Sequence, residues 1–281
     1  VSAFVRDGQA AGEPTLVLVG QRKVELLREE LGNDVEGVQL GDIAEVGRNP
    51  ARIIPAWRMF VARNAGPGVQ LRGVGEPIFP ERSAQELVEA HRHEALLNLA
   101  FLDTSAFWLV CPYDIEALPA AVIDEARRTH PLVAHGDLRG ESADYHGIDA
   151  ISAPFDTPLP PRPAAAWQIP FDPSTVDELP RVIAEHAAEA GLAVPRRIDL
   201  VVAAAEIARN SGSGSVYLWS DGRAVLCEIH GHGPLDGPLG DREPPHESNG
   251  MGIWVANQLC DLVQVRSEPG GITARLHLPL L

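Results

Sequence analysis

Lysine is almost absent from this chain of 281 residues, because Lys23 is its only lysine and the other basic residues are arginines. No Gly-Lys pair occurs, which excludes a phosphate-binding loop of the GxxxxGK[ST] type. Basic residues number 23 against 39 acidic ones, so the formal net charge is −16 and the pI is near 5.0. This charge has the wrong sign for binding a nucleic-acid backbone or an anionic membrane, and we expect neither as a partner.

Cysteines and long apolar runs are also scarce. The three cysteines, Cys111, Cys227 and Cys260, are far apart and form no CxxC pair. This spacing predicts free thiols and argues against a disulfide framework or a thiolate zinc site. The longest apolar runs fall far short of the roughly 20 residues of a membrane span, and the N-terminus has no signal-peptide core. We therefore expect a cytoplasmic protein.

Length and composition predict two globular domains. Hydrophobic residues make up 45% of the chain and charged residues 22%, which is typical of a folded protein, and 281 residues exceed one average domain. The segment 153–168 is crowded with prolines and has no periodicity, so we expect a semi-rigid linker there. The predicted domains are 1–152 and 169–281.

The first half alternates strand-like and helix-like segments. The run TLVLVG at 15–20 is typical of a strand buried on both faces, and further strand-like runs occur at 35–40, 69–75 and 107–113. Helical spacing separates these runs, which predicts an α/β domain with a mostly parallel sheet. In such sheets ligands bind beyond the carboxyl ends of the strands.

The motif GRNPAR is one candidate ligand site in this half. It places Arg48, Asn49 and Arg52 at a predicted helix start. Backbone amides and two guanidinium groups at such a place could hold an anion. A capped helix with solvated arginines is the simpler interpretation.

The motif HRHEALLN is the second candidate. On a helix His91 and His93 point in different directions, which argues against a metal held by both, whereas Glu94 and Asn98 share a face. A metal site is the less favoured interpretation of this motif. The candidate pocket residues of the first domain are Arg48, Arg52, His93, Glu94 and Asn98.

Five segments of the first half resemble the MEDS sensory domain of actinobacterial regulators. In chain order they are VRDGQAAGEPTLVLV, GRNPARIIPAW, GEPIFP, HRHEALLNLAF and CPYD. The resemblance covers residues 1–155 and implies an α/β fold related to RecA-like ATPases and a role in sensing a small ligand. Family members usually carry a further histidine-containing segment upstream, so we expect the chain to begin inside its natural first domain.

The second half contains residues suited to phosphate chemistry. A predicted helix at 195–211 places Glu206 and Asn210 four residues apart and so on one face. An amide oxygen can bind Mg²⁺ while a carboxylate orients or deprotonates an attacking hydroxyl. A surface glutamate and a helix-ending asparagine are the alternative. Thr175 and Glu178 fit a capping box at the start of the preceding helix.

A predicted hairpin and a glycine-rich stretch follow. Strand-like segments flank Asp221-Gly222, a strong hairpin signal. The stretch 230–252 lacks periodicity, and we interpret it as a mobile lid. Its end, at 249–252, opens a predicted helix and offers backbone amides to a phosphate. A second hairpin around EPGG ends the chain.

This order of motifs resembles the GHKL (Bergerat-fold) ATPase domain over residues 168–281. NGMGIWVANQLCDLVQVRS is similar to the last box of anti-sigma-factor serine kinases of the RsbW type, and the pairing with a MEDS domain resembles the RsbA type. The resemblance implies an α/β sandwich of the histidine-kinase ATPase type that binds ATP or ADP with Mg²⁺. It implies that Glu206 is the catalytic base and Asn210 the Mg²⁺ ligand. The implied nucleotide-binding residues are Asn210, Gly233, Asn249, Gly250, Met251 and Gly252.

One position departs from the family pattern. The family's first glycine box has an aspartate that accepts a hydrogen bond from the adenine amino group, and CEIHGHG has Gly231 in its place. Loss of that bond would weaken binding by roughly 1.5–3 kcal/mol, about ten- to a hundredfold. The domain is therefore either a serine kinase or a pseudokinase that keeps only the protein-binding surface.

We expect a signalling and transcription regulator of the anti-sigma-factor type, in which the sensory domain controls the kinase-like domain. The expected partners are a sigma factor or an anti-sigma-factor antagonist, and a small molecule in the first domain. Kinase-like domains of this type often pair, so a homodimer is compatible with the resemblance. The alternative is a small-molecule sensor whose ATPase-like domain is a non-catalytic docking or dimerisation module.

Overall fold

The computed structural model divides the chain into two compact units, Val1–Phe155 and Asp156–Leu281. It describes residues 1–104, 106–136, 138–147, 158–232, 251–268 and 270–280. The first part of the predicted linker, 153–157, lies outside the described residues, and its remainder forms no regular element up to 166.

The first unit is built on a parallel sheet. Its strands are β1 (Thr15–Val19), β2 (Val38–Asp42), β3 (Leu71–Gly75) and β4 (Phe107–Val110). They lie in the order β2-β1-β3-β4 and every neighbouring pair is parallel, which confirms the predicted parallel sheet. The order changes direction between β1 and β3, so the loops that follow these two strands diverge there.

Helices connect these strands and cover the sheet. They are α1 (Ser2–Ala11), α2 (Gln21–Leu31), α3 (Ile43–Val46), α4 (Ile53–Asn64), α5 (Ala84–Ala100) and α6 (Ala120–Thr129). Val17 and Val19 of β1 pack against Val24 and Leu27 of α2 in one core cluster. An exposed antiparallel hairpin, β5 (Leu132–His135) with β6 (Leu138–Glu141), follows α6.

The second unit is an α/β sandwich. Five antiparallel strands, in the order β10-β11-β9-β8-β7, form its sheet. The strands are β7 (Trp167–Phe171), β8 (Gly214–Ser220), β9 (Ala224–Gly231), β10 (Leu262–Glu268) and β11 (Gly271–Pro279). The helices are α7 (Leu179–Glu189), α8 (Val194–Ser211) and α9 (Met251–Leu259). This architecture confirms the predicted fold class.

Alternation along the strands places the core of this unit on one face of the sheet. Val225, Cys227 and Ile229 of β9 are buried against Leu200 and Ile207 of α8. The Asp221-Gly222 hairpin is confirmed: Gly222 has φ 84°, and Asp221 Oδ1 accepts hydrogen bonds from two following amides, both at 2.8 Å.

The predicted capping box at Thr175 and Glu178 is wrong. A short 3-10 helix, Val176–Glu178, occupies this place without a side-chain cap, and α7 begins after it. The reason lies upstream: Asp172 Oδ1 accepts the amides of Ser174 and Thr175, at 2.7 and 3.1 Å. These bonds form a local turn in place of a helix start.

In the described residues, the state of the cysteines and the character of the helices agree with the expectations from the sequence. All three cysteines are unbridged, as predicted. No described helix combines the length and the apolar character needed to cross a bilayer.

Candidate functional site

Glu206 and Asn210 lie one turn apart on α8, facing away from the core. The helix buries Ala203, Ala204 and Ile207 against the sheet, which leaves Glu206 half-buried and Asn210 exposed. Asn210 Nδ2 donates a hydrogen bond to the Glu206 carbonyl oxygen at 2.8 Å. This bond uses the amide nitrogen and leaves Oδ1, the atom that can hold a cation, without a partner among the described residues.

An arginine forms an ion pair with one oxygen of the Glu206 carboxylate. Arg209 Nη1 donates to Glu206 Oε1 at 3.1 Å, and Nη2 of the same side chain reaches Asp177 at 3.5 Å. A substrate hydroxyl would therefore meet Oε2, or would have to displace the guanidinium from Oε1. The arrangement leaves Oε2 of Glu206 able to accept further hydrogen bonds.

Gly252, the second residue of α9, packs directly on α8. A Cβ at this position would lie 2.9 Å from the Glu206 carbonyl oxygen and 3.0 Å from Asn210 Nδ2. Only glycine permits so close an approach of the two helices. The first turn of α9 therefore lies beside Glu206 and Asn210, and its amides and positive helix end can meet an anion.

The fold thus brings together Glu206, Asn210 and Gly252, three residues singled out from the sequence. Met251 begins α9, and its backbone lies at the same helix end. The other candidates of the glycine boxes, Gly233, Asn249 and Gly250, lie outside the described residues.

The position that lacks the adenine-binding aspartate is tightly packed. Gly231 is buried at the end of β9, and a Cβ there would lie 2.3 Å from both Cβ and Oγ of Ser211. Ser211 is itself buried and donates its hydroxyl to the Ile207 carbonyl oxygen at 2.8 Å. An aspartate at 231 therefore does not fit while Ser211 keeps this position.

Sequence reasoning missed a buried ion network on the other face of the sheet. Glu228 of β9 accepts two hydrogen bonds from Arg275 of β11, and a third from Arg162 at 3.2 Å. His230 Nε2 lies 2.7 Å from the same carboxylate. Burial would raise the pKa of Glu228, but the hydrogen bonds from His230 and Arg275 and their charges lower it to about 2.

Polar residues alternate with apolar ones along β9, and this alternation was the signal for such a face. It could not identify the partners, because Arg162 and Arg275 are 66 and 47 residues away from Glu228. The network ties the segment before β7 to the sheet, since Arg275 Nη2 also donates to the Pro160 carbonyl oxygen at 2.8 Å.

In the first unit, GRNPAR forms a short capped helix. Asn49 Oδ1 accepts the amide of Ala51 at 3.0 Å and caps the 3-10 helix Pro50–Arg52. Arg48 is exposed and Arg52 is half-buried. This segment packs against α5.

The helix α5 places Glu94 and Asn98 on the side that faces α6, whereas His93 is fully buried. Asn98 Nδ2 donates to the Thr129 carbonyl oxygen at 2.8 Å, which ties the two helices together. Glu94 Oε2 accepts a hydrogen bond from the Tyr113 hydroxyl, and Oε1 lies 3.8 Å from His130 Nε2. Burial raises the pKa of Glu94, although His130 and the hydrogen bonds from its neighbours oppose this rise.

Tyr113 and His130 were not among the residues singled out as candidates. Tyr113 follows β4 at the carboxyl edge of the sheet, where ligands of such folds collect. His130 lies at the end of α6, and no local pattern links it to Glu94.

An ion pair links the residues that follow β1 and β3. Lys23, in the first turn of α2, pairs with Glu76, which is buried directly after β3. The Glu76 amide also donates to the Leu18 carbonyl oxygen at 2.9 Å. The only lysine of the chain thus neutralises a buried carboxylate where the strand order changes direction.

Comparison with protein families identifies both halves of the chain. Residues 1–131 match the model described as "MEDS: MEthanogen/methylotroph, DcmR Sensory domain", and residues 169–278 match the "Histidine kinase-like ATPase domain". A search of curated proteins finds no significant match. The two matches agree with the resemblances drawn from the sequence and with the folds of the two units.

Proposed function

We propose that this chain, which joins a MEDS sensory domain to a histidine kinase-like ATPase domain, is a signalling regulator of the anti-sigma-factor type that binds a nucleotide with Mg²⁺. The observation that carries the proposal is the meeting of Glu206 and Asn210 with the N-terminal turn of α9 at Gly252. A cation ligand, a carboxylate and a row of backbone amides at one place are what a phosphate-bearing ligand with Mg²⁺ requires.

Each of these groups has a role in phosphoryl transfer. Asn210 would hold Mg²⁺ through Oδ1, and the amides of the first turn of α9 would bind phosphate oxygens. Glu206 would use Oε2 to orient or deprotonate a serine hydroxyl of the partner protein. A bound ATP would supply the phosphoryl group.

A non-catalytic version of the same regulator has its own support. Ser211 fills the space toward which a side chain at Gly231 would point, and Arg209 occupies one oxygen of Glu206. The first feature disfavours tight adenine binding, and the second disfavours proton abstraction by Glu206. In this version the domain holds its partner protein without transferring phosphate.

An exposed apolar stripe on α8 supports protein binding in both versions. Val194, Ile198 and Val202 stand four residues apart and are 58%, 59% and 41% exposed. Apolar side chains at this spacing form one continuous face, which a protein partner can cover. We propose that a sigma factor or an anti-sigma-factor antagonist binds here; a second copy of this chain is the alternative.

Calorimetric titration of the full chain with ADP or ATP and Mg²⁺ tests the nucleotide site. We expect micromolar binding that requires Mg²⁺ and is lost in Asn210→Ala, because the substitution removes Oδ1. The matched control is Asn64→Ala in the first domain, since Asn64 Nδ2 makes the same kind of bond to the Phe60 carbonyl oxygen at 2.8 Å. Binding should be unchanged in this control.

The two versions differ in a second experiment. With a purified partner and labelled ATP, the kinase version transfers label to a partner serine, and Glu206→Gln abolishes transfer while nucleotide binding persists. Nucleotide binding without transfer supports the non-catalytic version. No binding up to millimolar nucleotide, or equal binding by Asn210→Ala, contradicts the proposed site.

A further inference from the structure

Three side chains of different chemistry converge in the sensory domain. Glu94 comes from α5, Cys111 follows β4, and His130 follows α6. One carboxylate oxygen, the Sγ atom and one imidazole nitrogen all lie within 4.8 Å of one another. Glu94 is 1% exposed, and the other two residues are half-buried. Such a group of oxygen, sulfur and nitrogen atoms is a typical ligand set for a metal ion.

The hydrogen bonds of His130 fix which ring nitrogen is available. Nδ1 lies 2.8 Å from the Ala126 carbonyl oxygen, which can only accept a hydrogen bond. Nδ1 therefore carries the hydrogen, and in the neutral ring Nε2 keeps its lone pair. Nε2 is the nitrogen that faces Glu94 Oε1, at 3.8 Å.

The carboxylate of Glu94 is held by two neighbours and faces the lone pair of His130. Oε2 accepts the hydrogen bond from Tyr113, and the Cys111 thiol is a second hydrogen-bond partner of the carboxylate. Oε1 is buried and lies 3.8 Å from Nε2, so two electron-rich atoms face each other in a poorly solvated place. A metal ion in place of the thiol proton would bind the sulfur and both of these atoms.

We propose that Glu94, Cys111 and His130 bind a divalent transition-metal ion, Zn²⁺ or a similar ion such as Co²⁺ or Fe²⁺, inside the sensory domain. Thiolate and imidazole ligands exclude a site for Mg²⁺ or Ca²⁺, which prefer oxygen atoms alone. Three protein ligands leave a fourth position of a tetrahedral ion open to water or to an atom of a sensed molecule.

The surroundings of the three ligands fit this assignment. Metal-binding histidines usually donate their other ring N–H to a carbonyl or carboxylate, as His130 does to Ala126. The bond from Tyr113 orients the carboxylate of Glu94 in the same way. The site lies wholly within residues 1–131 and does not depend on the nucleotide site of the second domain.

Cobalt titration tests the proposal on the full chain without a histidine tag. After treatment with chelator and reductant, we expect one Co²⁺ per chain, a near-ultraviolet thiolate-to-cobalt absorption band, and displacement of Co²⁺ by Zn²⁺. Cys111→Ser should lose the band. The matched control is Cys260→Ala, which removes a buried thiol of the second domain. This variant should keep the absorption band. Tyr113→Phe retains all three ligands and should weaken Zn²⁺ binding by roughly ten- to a hundredfold.

Two readouts separate loss of the site from loss of the fold. Zn²⁺ should raise the Tm of the unmodified chain by mass action and leave that of Cys111→Ser unchanged, while both retain the same far-ultraviolet circular dichroism. The proposal is overturned if Co²⁺ does not bind in a one-to-one ratio, or if it binds without the thiolate band. A protonated-carboxyl infrared band that vanishes in Glu94→Gln would then identify Glu94 as a neutral carboxyl group instead of a metal ligand. Failure of nucleotide binding would not affect these results.

Discussion

At the scale of single residues, two glycines control the space around the candidate nucleotide site. Gly252 allows α9 to approach Asn210, which supports a phosphate-binding role for that helix end. Gly231 has the opposite meaning, because the space in front of it belongs to Ser211. The lack of a side chain at position 231 therefore belongs to the close packing of β9 against α8.

Restoring the aspartate tests this interpretation. We expect Gly231→Asp to destabilise the second domain by about 1–3 kcal/mol, because the new side chain overpacks a buried site. It should not improve nucleotide affinity. The double variant Gly231→Asp with Ser211→Gly removes the colliding atoms and should recover much of the lost stability. Thermal unfolding and calorimetric titration measure both effects, and tighter nucleotide binding by the single variant would refute the argument.

At the scale of elements, sequence patterns predicted buried segments well and exposed ones poorly. The apolar run at β1 and the helical spacing of apolar residues in α2 indicate directly which side chains are buried, so both elements were predicted. The hairpin of β5 and β6 is exposed throughout and lacks such a pattern, and it was not predicted. At Thr175 the sequence has the residue types of a capping box, but the local turn at Asp172 forms in its place.

A true capping box begins α5, the helix that carries Glu94. Ser83 Oγ accepts the amide of Glu86 at 3.3 Å, and the Glu86 carboxylate accepts the amide of Ser83 at 2.7 Å. We expect Ser83→Ala to lower the free energy of unfolding of the first domain by about 1 kcal/mol. Glu86→Gln is the control, because glutamine can also complete a capping box and should cost less. Denaturant titration measures both, and equal losses would contradict this role for Ser83.

At the scale of the whole molecule, the chain divides into two compact units and has an excess of acidic groups. The second domain also has a buried ion network, which lies outside its apolar core. Glu228 is 2% exposed and Arg275 is 5% exposed, so their charges are held in a poorly solvated place. Such a pair makes the domain sensitive to the loss of either partner.

Acidification should destabilise this domain in two pH ranges. Burial and the charge of Arg275 lower the pKa of His277 from 6.5 to about 4, although Asp221 opposes this. As the pH falls, His277 of the unfolded chain therefore binds a proton before His277 of the folded chain does. Stability consequently falls as the pH drops from 6.5 to 4. The pKa of Glu228 is lowered from 4.5 to about 2, so its contribution is complete above pH 4.5 and is lost toward pH 2.

Denaturant unfolding at a series of pH values checks both ranges. His277→Gln should flatten the upper range and leave the lower one. Glu228→Gln should do the reverse and should also cost roughly 3–5 kcal/mol near neutral pH, because Arg275 then remains buried without its counter-ion. An unchanged pH profile in either variant would show that the residue does not govern its range.

The sequence by itself determined the parallel sheet of the first unit, the hairpin at Asp221-Gly222 and the free thiols. These features follow from periodicity, turn residues and spacing, which act over a few neighbouring residues. The fold of the second unit was implied by the resemblance of its motifs to a known family. It also placed Glu206 and Asn210 on one helical face, since four residues make about one turn.

Only the tertiary structure decided which distant side chains meet. Glu94, Cys111 and His130 converge because a helix, a strand end and a helix end pack at one edge of a parallel sheet. Glu228 meets Arg275 because β9 and β11 pair in one antiparallel register. Ser211 meets Gly231 because α8 packs on β9. These contacts depend on crossovers, register and packing between elements, and local sequence patterns do not encode the separation or orientation that brings two elements together.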